Sequence, residues 1–186
     1  MRFLIRVDAP EVPRESLLGT VKGIAKTLGV DSRNPKWTSY GALELDIFSP
    51  SRADFDLFIS AVRPLVSLEF VRDLNVAPPH RAEDELFAEA RSLFNAERYW
   101  ESHEVLEGVW RTKQGKEKRL IQGIILVCAA FVHHQKGEDA VAVGVLRRAT
   151  PLLEVGGMEY GGFAIDKMVR EVQEIARSKR FAVFYL

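Results

Sequence analysis

Four residues near the middle of the chain have types and spacing suited to chemistry. Trp100, His103, Glu107 and Trp110 fall at i, i+3, i+7 and i+10, which is one stripe of a single α-helix. A histidine and a carboxylate four residues apart point the same way, so they can ligate one ion or share one proton. Flanked by two indoles, they would stand in an apolar wall, where a polar group without a partner costs about 2–7 kcal/mol. Each other, a polar group on the next helix, a water or a metal ion could meet that need. An imidazole beside a carboxyl in apolar surroundings is also how a proton-transfer group acquires a working pKa. His103 and Glu107 are therefore the candidate catalytic pair.

The segment that follows offers company. Gln122 and His133 are eleven residues apart, close to three full turns, so they share a helix face. With a fold-back near Lys113 to Lys116, Gln122 comes level with Glu107. His133 then lies roughly 9 Å beyond His103 along the axis, a gap narrowed by side chains that lean in opposite senses on antiparallel helices. The expected metal set is His103, Glu107 and His133, and Trp100, Trp110 and Gln122 are the expected pocket residues. An open set of nitrogen and oxygen donors suits a divalent transition ion, Zn²⁺ foremost, with water completing the shell. His103-Glu104-Val105-Leu106-Glu107 lacks the second histidine of a zincin helix, which argues against protease chemistry. The competing reading is structural: a buried, hydrogen-bonded His103–Glu107 pair that fixes helix register.

The elements that must position these residues differ on either side of Val76-Ala77-Pro78-Pro79-His80. The two prolines supply no amide donors and push the preceding residue out of helical space. Before them, Phe3, Ile5 and Val7 alternate as a half-buried strand, and Leu17 to Leu28 recur with helical period between Pro13 and Gly29. Leu43, Leu45 and Ile47 form a second strand, and Trp37 to Tyr40 add a further strand across Gly41. Ser51-Arg52-Ala53-Asp54 resembles a capping box opening a helix that ends at Pro64, and Leu68 and Phe70 mark a last strand. The order predicts a two-layer α+β sandwich of ferredoxin-like type over residues 1–77. Its outer face, with Arg2, Arg6, Glu44, Asp46, Glu69 and Asp73, is expected to be solvated with cross-strand ion pairs, the alternative being a surface for a partner or a second copy.

Residues 81–180 read as an all-helical bundle, with helices over 82–96, 99–114, 116–136, 138–154 and 163–179 and the most apolar of them, 116–136, at the centre. Residues 181–186, Phe-Ala-Val-Phe-Tyr-Leu, are too apolar to stay in water. They are expected to dock on the N-terminal sheet or on another subunit, making the protein a homodimer.

The run Leu93-Phe94-Asn95-Ala96-Glu97-Arg98-Tyr99-Trp100-Glu101-Ser102-His103-Glu104-Val105-Leu106-Glu107-Gly108-Val109-Trp110 resembles the signature segment of domain-of-unknown-function family 309. The family's H-x-x-x-E-x-x-W motif is matched by His103, Glu107 and Trp110, and its usual Gln-Gly pair and later histidine by Gln122-Gly123 and His133. The similarity covers about residues 83–150 and does not reach 1–78. It implies a compact helical bundle, no assigned activity, and suspected metal binding. Glu97 stands where many members have glycine, which weakens any argument that the turn there needs a left-handed residue.

Charge narrows the function classes. The 186 residues carry 26 Lys+Arg against 26 Asp+Glu, and each half is separately neutral, so binding of nucleic acid or a membrane surface by bulk electrostatics is disfavoured. Hydrophobic content of 47% excludes a disordered chain. The longest apolar run, Gly123 to Val132, is about half the length of a membrane span. Cys128 is the single cysteine, and no leader pattern opens the chain, so the expected location is the cytoplasm. Two functions follow: a metal-dependent hydrolase or isomerase of a small molecule, or a non-catalytic module for oligomerisation or partner binding.

Overall fold

The alternation around Phe3, Ile5 and Val7 becomes strand β1 (Arg2–Asp8) in the computed structural model of the protein, which describes residues 1–76 and 81–186. The chain divides into two units, Met1–Pro79 and His80–Leu186. The expected hinge prolines fall within 77–80, outside the described residues.

In the first unit β1 is followed by α1 (Arg14–Thr27), β2 (Asp31–Trp37), β3 (Leu43–Phe48), α2 (Arg52–Val62) and β4 (Ser67–Asp73). The sheet is fully antiparallel, in the order β2-β3-β1-β4. Period-two patterning puts Phe3, Ile5, Val7, Leu43, Leu45 and Ile47 on one face. There they meet Leu17, Val21 and Ala25 of α1 and Phe55, Phe58 and Val62 of α2 in one buried cluster. Phe3 and Phe55 stack with centroids 3.7 Å apart. At the start of α2, the expected cap forms: Ser51 Oγ accepts from the Asp54 amide at 3.2 Å and donates to the Asp54 carboxylate at 2.6 Å.

Two expectations change here. The extra strand is not Trp37 to Tyr40 but β2, which ends at Trp37. Its residues show no alternation, because it is an edge strand whose pairing with β3 slips between Arg33 and Lys36. Asn34, at φ 52°, and Pro35 occupy the slip. The outer face carries the expected cross-strand ion pairs, but it is solvated only in part: Arg2, Glu69 and Asp73 keep contact with water, and its centre does not. Arg6, Lys36, Glu44 and Asp46 are each no more than 3% exposed. Register sets Lys36 of β2 beside Glu44 of β3, and Glu44 beside Arg6 of β1. Glu44 Oε1 and Oε2 therefore take Lys36 at 2.5 Å and Arg6 at 3.0 Å. Burial alone would lower the Arg6 pKa, but the Glu44 charge and Tyr40 outweigh it and hold the guanidinium above its usual value.

The second unit runs α3 (Glu83–Asn95), α4 (Tyr99–Trp110), α5 (Gly115–Gln135), α6 (Asp139–Leu153), β5 (Glu159–Tyr160), β6 (Phe163–Ala164) and α7 (Ile165–Ser178). The central helix is α5, packed against both α4 and α6, with Leu120, Ile121, Ile124, Val127, Cys128 and Phe131 buried. Its Gly123 permits close approach of α6, since a Cβ there would lie 3.0 Å from the Leu153 side chain. The stretch at 163 begins as a hairpin strand before the helix, because Gly161 and Gly162, at φ 57° and 77°, make the two-residue turn that pairs β5 with β6.

The tail does not dock as expected. Phe184 is 6% exposed and packs on Phe94 and Phe131 of its own bundle at 5.4 and 5.5 Å between centroids. Phe181 stacks on His134 at 4.3 Å. Both backbone groups of Leu186 bond to the Asn95 side chain at 2.7 Å. The terminal apolar residues complete the core of the bundle that precedes them.

Candidate functional site

The inward side of α4 is the stripe Tyr99, Ser102, Leu106 and Val109, each no more than 2% exposed, joined by Glu101 at 1%. The stripe singled out from the sequence is rotated from it by one residue, about 100° around the helix. His103 is consequently 24% exposed, Glu104 50% and Glu107 37%. Trp100 and Trp110 are half-buried. The apolar wall expected around His103 and Glu107 is thus a shoulder between core and solvent.

On that shoulder His103, Glu104 and Glu107 each offer a ligand atom, and these three atoms lie within 4.8 Å of one another. The three residues cover about 100° of the helix circumference, with Glu107 between the other two. The His103 Nδ1 atom is buried and has no hydrogen-bond partner among the described residues. Glu104 Oε1, at 3.6 Å, lies just beyond bonding range. Glu107 turns instead to the exposed Arg111 at 3.1 Å. The buried hydrogen bond between His103 and Glu107 that the structural reading requires does not form among the described residues. Trp110 Nε1 is likewise buried without a hydrogen-bond partner among the described residues, and Lys118 Nζ lies over its ring at 4.2 Å.

His133, the expected third ligand, is not among these residues. It occupies the last turn of α5, where its Nδ1 sits 2.5 Å from Glu138 Oε2 across the turn at Gly137. That hydrogen bond holds the Glu138 carboxyl below the usual range. Gln122 is half-buried on α5, and among the described residues no hydrogen bond of its side chain joins it to the cluster. Glu104, which the sequence reading passed over, completes the group. Adjacent residues on a helix do not face each other, but both face Glu107, and that was readable from the spacing.

The buried polar residues near the site serve the fold. Glu101 accepts both ends of the Arg98 guanidinium, at 2.5 and 2.6 Å. Ser102 Oγ donates to the Ala90 carbonyl at 2.8 Å and lies 3.5 Å from Cys128 Sγ. Glu97 adopts φ 54°, so the turn between α3 and α4 does require a left-handed residue, contrary to expectation. Its carbonyl accepts from Gln135 Nε2 at 2.9 Å. Burial pushes the Cys128 thiol up to about 12. Iodoacetamide at about pH 8 is accordingly expected to leave the native thiol unlabelled and to modify it fully after unfolding. Fast labelling of the native protein, read by mass spectrometry, would contradict the burial.

A family model described as "Domain of unknown function (DUF309)" matches residues 87–145. A solved structure of a conserved hypothetical protein from Thermus thermophilus is 31% identical, spanning 49% of this chain and 95% of its own, with a TM-score of 0.42. No curated protein matches, and no family matches the N-terminal part. Residues 87–145, in the C-terminal half of this chain, belong to the DUF309 family.

Proposed function

We propose that the second unit binds a divalent transition ion, Zn²⁺ foremost, through His103, Glu104 and Glu107. One imidazole and two carboxylates are a donor set that Zn²⁺ accepts, and open positions would be left for water or substrate. The observation that carries the reading is the convergence of one ligand atom each from His103, Glu104 and Glu107 within 4.8 Å of one another, beside a His103 Nδ1 that has no hydrogen-bond partner among the described residues. A bound ion would acidify a coordinated water. His103 and Glu107 would then serve a metal-dependent hydrolysis or isomerisation of a small molecule, with Trp100, Trp110 and Gln122 as the residues to line it. In the alternative, a non-catalytic oligomerisation or partner-binding module, the His103–Glu107 pair would be structural; the apolar tail, which packs on its own bundle, does not add to that reading. A single buried cysteine fits a reducing cytoplasm. For the first unit, the β-α-β-β-α-β order and the antiparallel sheet β2-β3-β1-β4 support a ferredoxin-like fold.

The test is calorimetric titration of the full chain with Zn²⁺, alongside the visible spectrum with Co²⁺. One equivalent is expected to bind, weakened about a hundredfold by His103→Ala and at least about tenfold by Glu104→Gln or Glu107→Gln. His133→Ala should leave the affinity unchanged. Equal binding by wild type and His103→Ala, or no binding by the folded wild type, sinks the proposal.

A further inference from the structure

We infer a second binding site, in a cleft between the start of α3 and the β5–β6 turn, for a short zwitterion with its amine and carboxylate about 10 Å apart. An unblocked tripeptide has that span, at roughly 3.3–3.6 Å per extended residue. The cleft encloses about 480 Å³, within the range of small-ligand sites.

Its charges are segregated. Glu83, Phe87 and Arg91 line it at i, i+4 and i+8, one row along α3. Eight residues separate the two charged ones by about 12 Å along the axis. The Arg91 side chain leans back toward the helix start and shortens that gap. At the negative end, Glu83 and Glu117 flank Lys113 Nζ at 2.7 and 3.8 Å. Asp84 adds a third carboxylate. Three carboxylates against one ammonium leave excess negative charge for a ligand amine. At the other end Arg91 Nη1 donates to the Gly162 carbonyl at 2.6 Å. The other Arg91 donors have no protein partner among the described residues, and they suit a carboxylate.

Between the ends lie Phe87, 5% exposed, and Tyr160, edge to face at 5.3 Å. The Tyr160 hydroxyl donates to Glu117 Oε1 at 3.1 Å. Burial first, and then that bond, raise the Tyr160 pKa and keep the phenol a donor. The far wall can stand this close only because it has no side chains. A Cβ on Gly161 would lie 2.6 Å from the Phe87 ring, and one on Gly162 2.6 Å from Arg91 Nη1. Two glycines at positive φ thus set the width of the cleft.

The test is calorimetric titration of the full-length protein with triglycine at low salt. Triglycine is expected to bind, and acetylating its amine, amidating its carboxylate or making Arg91→Gln should each weaken binding at least about tenfold. His103→Ala should not change it, which separates this site from the proposed metal centre. Absence of heat at millimolar triglycine, or equal binding of the blocked peptides, overturns the inference. The blocked peptides act on wild-type protein, so the result stands even if Arg91→Gln fails to fold.

Discussion

Replacing Glu44 with alanine is expected to destabilise the first unit by about 3–5 kcal/mol. Glu44, Arg6 and Lys36 are all no more than 3% exposed, and one carboxylate serves both cations. Removing it leaves two desolvated positive charges that have lost the shared partner, and neither can regain water without opening the sheet. That loss is a large part of the roughly 5–15 kcal/mol that holds a domain together. The exposed pair Arg33–Asp31, 60% and 52% exposed, is the control. Arg33→Ala should cost under about 1 kcal/mol. Urea unfolding of the full chain, followed by circular dichroism, decides. Equal small shifts for both variants would show that burial does not govern the ion pairs.

Phe131→Ala is the corresponding change in the bundle, expected to cost about 3–5 kcal/mol. The ring is fully buried and is the hub of an aromatic cluster. Tyr99 lies 4.8 Å away, Phe184 5.5 Å, Phe181 5.7 Å and Phe94 5.8 Å between centroids. Two of those neighbours belong to the C-terminal tail, so the cavity should also release the tail. Trypsin is then expected to cut at Lys179 and Arg180 faster than in wild type, at concentrations that leave the rest of the chain intact. Phe131→Leu, which keeps most of the volume, should cost under about 1.5 kcal/mol. A Phe131→Ala protein with wild-type unfolding and a protected tail would refute the role of this cluster in docking it.

Much of the fold was legible because it rests on local period. The Phe3-Ile5-Val7 and Leu43-Leu45-Ile47 alternations, the Ser51 cap and the helical recurrence from Leu86 onward each need only near neighbours. Strand β2 was misplaced because its polar residues carry no pattern of their own; the partner strand makes it a strand. The β5–β6 hairpin was missed because strands of two residues are too short for periodicity to register, although Gly161-Gly162 marked the turn. For the tail, composition demands burial without naming the place, and the place is its own bundle rather than the sheet or a second subunit.

For the candidate site, the sequence by itself determined that His103 and Glu107 share one helix face, since spacing along a single helix is rigid. The same spacing places Glu104, three residues before Glu107, within reach of it. Only the tertiary structure decided which way that face turns. Tyr99, Ser102, Leu106 and Val109 go inward, leaving His103 on the shoulder, and the end of α5 gives His133 to Glu138. The rotation of a helix about its axis and its offset against a neighbour are fixed by packing summed over many distant residues. Such a sum is not contained in the spacing of any one motif.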